Sequence, residues 1–144
     1  MFSFDAMIAS MILLSTLFLL LFSLNAFVEQ ELQNEKEIEK ELFGLALSET
    51  IIKNRNENNP INGAAFFNIE KKRVETNIID ISLLEKIQPK DFGKFSLSSL
   101  YERIENGKKY YFENNNENCI VIERFVIING IIPRKTILGV VICE

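Results

Sequence analysis

Few side chains in this 144-residue chain have a type and spacing that could do chemistry, and the first is Asp5. It is the one ionisable side chain ahead of a run from Ala6 to Val28 that carries no charge, so its carboxylate stands at the lip of an apolar segment of bilayer length. An acid beside apolar surface is costly unless it lies at an interface or meets a cation. Two roles are open for it. It is a helix-end acid favoured by the macrodipole and left in the headgroup layer, or it pairs with an amine on a neighbouring chain. Cys119 and Cys143 are the second candidate. An even cysteine count in a head expected outside the membrane is read as one disulfide, with two buried thiols as the alternative.

The remaining candidates point away from catalysis. There is no His, hence no imidazole base, proton shuttle or histidine metal ligand. No glycine-rich phosphate loop is present, and neither cysteine has an activating base nearby in sequence. No enzyme activity, cofactor or metal site is therefore expected. Lys71-Lys72-Arg73 could touch a phosphate or glycan but reads as a solvated strand edge. Asn114 to Asn118 offers oxygen ligands without the carboxylate density of a calcium loop, and reads as a polar loop. Tyr110-Tyr111-Phe112 could stack on sugars but reads as alternating strand residues, at least one ring being core. A net charge of −4 argues against a nucleic-acid partner.

These residues need elements to position them. The uncharged run from Ala6 to Val28 has no Gly or Pro, exceeds a secretory h-region in length, and is read as a retained membrane helix over residues 1–28. From Phe27 to about Lys53 there is no proline and only Gly44, while Val28, Leu32, Ile38, Leu42, Leu45 and Ala46 keep helical spacing through a zone rich in glutamate. Residues 29–53 are thus expected to continue the same helix as an amphipathic stalk, with Glu37–Lys40 and Lys36–Glu39 pairing across a turn. Such a helix of about 50 residues would be roughly 75 Å long. The acidic flank holds nothing basic enough to fix this side in the cytoplasm, so the flanks leave orientation open.

Asn54 to Gly63 is the clearest break and is read as the linker to a head spanning residues 64–144. The fold class is α+β: a long N-terminal helix carrying a small antiparallel sheet. Strands are expected over Ala64–Phe67, Arg73–Ile79, Leu97–Ile104, Lys108–Phe112, Cys119–Ile128 and Ile131–Cys143, with a short helical connector over Ile81–Ile87. Asn106-Gly107 and Asn129-Gly130 are read as two-residue hairpin turns. A strict turn at Asn129-Gly130 would set Cys119 opposite Val140. A loop widened through Ile131, Ile132 and Pro133, or a bulge, would bring it opposite Cys143.

The opening Phe2-Ser3-Phe4-Asp5-Ala6-Met7-Ile8-Ala9 is similar to that of archaeal type IV pilin-like proteins with class III signal peptides. The stretches Asn54 to Ala65, Glu70-Lys71-Lys72-Arg73-Val74 and Asn77-Ile78-Ile79-Asp80 also resemble their head domains. Two departures are visible: no basic leader ending in Gly precedes Met1, and Asp5 stands where many members have Glu. The resemblance implies a structural subunit of an extracellular filament on the cell surface. It would begin as a membrane-held precursor, be cut by a prepilin peptidase, and be handed to pilus assembly machinery to polymerise with other pilin subunits and serve adhesion. It also implies assembly roles for Met1, Phe2 and Asp5, with Asp5 neutralising the N-terminal amine of an adjacent subunit and setting axial register. The competing expectation is a single-span anchored protein whose head binds a partner outside the cytoplasm.

Overall fold

From Phe4 to Lys53 the backbone is one unbroken helix, α1. Nothing in the segment interrupts it locally, because proline is absent and the hydroxyls of Ser10, Ser15 and Thr16 donate back to the carbonyls of Met7, Ile12 and Leu13. The computed structural model describes residues 4–114 and 116–144. Two units are distinguished, one ending at Ile38 and the other running from Glu39 to Glu144.

In the second unit, the last turns of α1 pack on a seven-stranded sheet through Gly44, Leu47, Ser48, Ile51 and Ile52. The contact face is not the apolar stripe that the sequence pattern picked out: Leu42 is exposed and Leu45 only half-buried. Gly44 explains the difference. A Cβ there would lie 2.9 Å from Ile122 Cγ1 and 3.3 Å from Ile142 Cγ1, so the missing side chain is what lets helix and sheet approach.

The strands are β1 (Ala65–Asn68), β2 (Arg73–Asp80), β3 (Lys90–Asp91), β4 (Ser96–Ile104), β5 (Gly107–Glu113), β6 (Cys119–Asn129) and β7 (Arg134–Cys143), with the short helix α2 (Ile81–Leu84) after β2. Their order is β1-β2-β6-β7-β4-β3, and β5 also pairs with β4. The sheet is mixed rather than wholly antiparallel, because β2 runs parallel to β6. The chain leaves β2, builds β3 to β5 on the far side, and returns as β6 beside β2 in the same direction, the long crossover that a parallel pair requires.

Both hairpins form, but neither turns on its Asn-Gly pair. In the first, Ile104 faces Gly107, so Glu105 and Asn106 make the turn, and the positive φ of 148° falls on Gly107. In the second, pairing stops at Ile128 opposite Arg134, which leaves Asn129 to Pro133 as a widened loop. The alternation of β7 accounts for this. The observed register puts Leu138, Val140 and Ile142 on the core side opposite Arg124, Ile122 and Ile120. A strict two-residue turn would move β7 by three positions and send that apolar set to the other face. The same register brings Cys119 opposite Cys143, and the two are joined as a disulfide with their Cα atoms 4.1 Å apart.

The linker folds back on the end of α1. Ala64 and Ala65 donate to the carbonyls of Ile51 and Asn54, and Gly63, at φ 152°, has room for no side chain, since a Cβ would lie 2.4 Å from the Asn54 carbonyl carbon. Arg55 clasps this junction by donating to the Ala65 carbonyl at 3.1 Å and to Asp80 at 3.2 Å. Burial alone would raise the Asp80 carboxyl, but hydrogen bonds from Ser82 and Arg55 outweigh it and hold it below 3.8. A depressed carboxyl stabilises the fold above that value and loses its contribution as pH falls through the lowered pKa.

The disulfide spans 24 positions, and on the chain-entropy account a loop of that size stabilises the head by about 3 kcal/mol. Cys119→Ser or Cys143→Ser should lower the head's Tm by roughly 10 °C or more in calorimetry. Peptide mapping under non-reducing conditions that recovers two free thiols would contradict the bond.

Candidate assembly interface

Residues 4–38 are exposed throughout. Phe4, Met11, Leu13, Phe18 and Phe22 are among the large apolar side chains open on every side of α1. The most apolar 18-residue window has a mean hydropathy of 2.4, and the helix is long and apolar enough to cross a membrane. Apolar surface of this extent calls for lipid or protein to cover it. Asp5 lies in the first turn, exposed, where the macrodipole favours a carboxylate. It makes no ion pair among the described residues. Met1 and Phe2 lie outside the described residues.

Beyond the apolar run comes an acidic belt in which Glu29, Glu31, Glu35 and Glu37 are all exposed. The two expected cross-turn pairs are replaced by contacts to the head. Glu39 pairs with Lys94. Lys40, only 2% exposed, donates to the backbone carbonyl of Asn118 at 3.0 Å and to its Oδ1 at 2.8 Å. Asn118, at φ 56°, in turn donates to Glu144. A lysine in a glutamate-rich stretch reads as solvated, and no pattern in the sequence marks Lys40 as the side chain that ties α1 to the residue beside the disulfide.

Among the described residues, the head buries the carboxylate of Glu102. Glu102, 1% exposed, lies on the core side of β4 and accepts from Arg134 at 2.8 and 2.9 Å and from the Tyr111 hydroxyl at 2.9 Å. Pairing of this kind is what makes a buried charge tolerable. On the opposite face, the Tyr101 ring lies across Gly139, where a Cβ would fall 2.1 Å from Cζ. Its hydroxyl donates to Glu123 at 2.8 Å, Arg103 donates to the same carboxylate at 2.8 Å, and the Lys108 ammonium sits 4.2 Å from the ring centroid. Beside this cluster Phe125, Ile127 and Ile137 floor an open groove that Asn77, Arg103 and Lys135 also line. The signal in the sequence is the run Ile120 to Ile128, which is apolar on both faces of a strand rather than on one.

The other candidates are occupied structurally. Lys71 pairs with Glu75 in the β1–β2 turn, where Lys72 has φ 50°. Asn116 donates to Ser98 at 2.8 Å and Asn118 is engaged as described, while Asn115 lies outside the described residues. Tyr111 points to Glu102, Tyr110 packs on Tyr101, and Phe112 lies against the core. Among the described residues no group of three or more His, Cys, Asp or Glu could hold a metal ion.

Tyr101, which is buried, and Tyr111, which is half-buried, give the head an alkaline limit. Burial, reinforced by the bond to Glu123, pushes the Tyr101 phenol from 10.0 up to about 12, and burial with Glu102 raises Tyr111 as well. A group raised by folding stabilises fully below its unfolded pKa and loses that contribution as pH climbs towards the folded one. Denaturant midpoints should therefore fall between about pH 10 and pH 12, with phenolate absorbance rising on unfolding, and Tyr111→Phe should lessen the slope. No protein-family model, curated protein or solved structure matches the chain.

Proposed function

We propose that this chain is a structural subunit, a pilin, of an archaeal type IV pilus-like extracellular filament, and that it is held in the membrane before assembly. The observation that carries the reading is an apolar helix exposed on every side, with a single acid in its first turn, leading into a head closed by a disulfide. In the bilayer, lipid covers the helix. On assembly, apolar helices leave the membrane and bundle at the filament axis, where burial away from water stabilises them by roughly 25 cal/mol per Å², a force absent between helices in lipid. Asp5 meets the N-terminal amine of the adjacent subunit and sets axial register, since any other register leaves both charges buried and uncompensated. Heads face solvent and carry the adhesive contacts. Processing by a prepilin peptidase and delivery to the assembly machinery belong to the same reading.

The second reading, a single-span anchor with a partner-binding head, is favoured by the same spanning length of α1 and accounts for Asp5 only as a helix-end acid. Mass spectrometry of the N-terminus combined with electron microscopy of sheared cell-surface material separates the two.

Asp5→Ala should leave the protein made, processed and resident in the membrane while its recovery in sheared filaments falls by roughly a hundredfold, the equivalent of ~3 kcal/mol for an unpaired buried charge. Asp5→Glu should be mild. Alanine-variant subunits recovered in filaments at the wild-type level would reduce Asp5 to a helix-end residue.

A further inference from the structure

The face of the sheet turned away from α1 bears a cavity of about 530 Å³, in the range of clefts that take a ligand or an inserted set of side chains. Its floor is apolar, and its two charged lining residues, Arg103 and Lys135, are both cations. Phe125 is 83% exposed although it lies mid-strand and is paired on β7 with Ile137. The two cations differ in how they are held. Arg103 is fixed by Glu123, whereas Lys135 is exposed and its ammonium makes no hydrogen bond or ion pair among the described residues. An occupant that satisfies this surface must be apolar and acidic at once.

The chain itself carries such a surface. On α1, Phe27, Glu31 and Ile38 lie along one side, with Val28, Leu32 and Glu35 beside them at helical spacing. The four apolar members are exposed, and so are both glutamates. This side of the helix is therefore an apolar stripe punctuated by carboxylates, the complement in charge and polarity of the groove.

We propose that the groove on the head of one copy receives the Phe27–Ile38 stripe of a second copy, with its apolar side chains on Phe125 and Ile137 and with Glu31 and Glu35 facing Lys135 and Arg103. The inference rests on the reading of the chain as a self-assembling subunit, and names the surface by which the acidic belt is covered. It puts the on-rate and register of the contact under electrostatic control, since rim charges steer encounter and penalise wrong alignments.

The test uses the full chain in the membranes of expressing cells, with two differently tagged copies. One carries a benzophenone-bearing phenylalanine analogue at position 125, and photo-crosslinks to the other copy are mapped by mass spectrometry. Crosslinks should fall within residues 27–38 of the second copy. Lys135→Glu in the first copy should lower their yield roughly tenfold, and Glu31→Lys with Glu35→Lys in the second copy should restore it. Crosslinks that map elsewhere, a yield indifferent to Lys135→Glu, or a co-purifying anionic amphiphile or foreign protein found at position 125 would each overturn the proposal. Filaments are scored separately by electron microscopy. Filaments without the 125-to-27–38 crosslink sink the docking and spare the filament reading; the crosslink without filaments does the reverse.

Discussion

The ten-residue ladder between β6 and β7 is the constraint on which the head depends. Because side chains alternate faces along a strand, fixing one pair fixes which side every residue of both strands occupies. The observed register sends Ile120, Ile122, Val126 and Ile128 inward with Leu138, Val140 and Ile142, and it places Gly139 outward where Tyr101 can cover it. The disulfide closes one end of this ladder and the widened loop ends the other. A glycine at the close approach to α1 and a glycine beneath an aromatic ring are therefore two consequences of one alignment. Each lets a neighbour occupy the space that a side chain would have filled.

The helix obeys a different rule. A backbone that satisfies its own hydrogen bonds needs no sheet or neighbour to persist, so α1 can be apolar on every side without being buried. Its surface poses a question of cover that its own first unit does not answer. Lipid and protein are the two media that can supply cover, and they differ in what they do with a charge. Lipid leaves Asp5 at the interface, whereas a helix bundle must match it.

Much of this was legible in the sequence because it rests on local rules. The uninterrupted helix follows from the lack of Pro, the linker from Asn58-Asn59-Pro60, and the β6–β7 pairing from two Val- and Ile-rich runs about a turn. The widened loop was also within reach, since Pro133 has no N–H to give and the cysteines needed three more residues to meet. What escaped depends on contacts between residues far apart in the chain. Gly44 stood out only as the one glycine of the stalk, and it is where Ile122 and Ile142 of the sheet press against the helix. Glu102 has no neighbour in sequence that announces burial, and its partners arrive from β5 and β7. That Val121 and Phe125 lie exposed was not legible either, because composition reports that a residue is apolar without reporting which face of a strand it occupies. The parallel β2–β6 pair was hidden for the same reason, since strand order is settled by the whole sheet.

Lys40 has a practical consequence. Its ammonium is enclosed and held by two neutral oxygens of Asn118, next to a disulfide-bonded cysteine. A trypsin cut after this residue, or acylation of its amine by a reagent that labels solvated lysines, demands that the last turns of α1 lift from the head. The residue is thus an intrinsic reporter: its protection reads out, in a mixture and without an added label, the fraction of molecules in which the last turns of α1 are seated on the sheet.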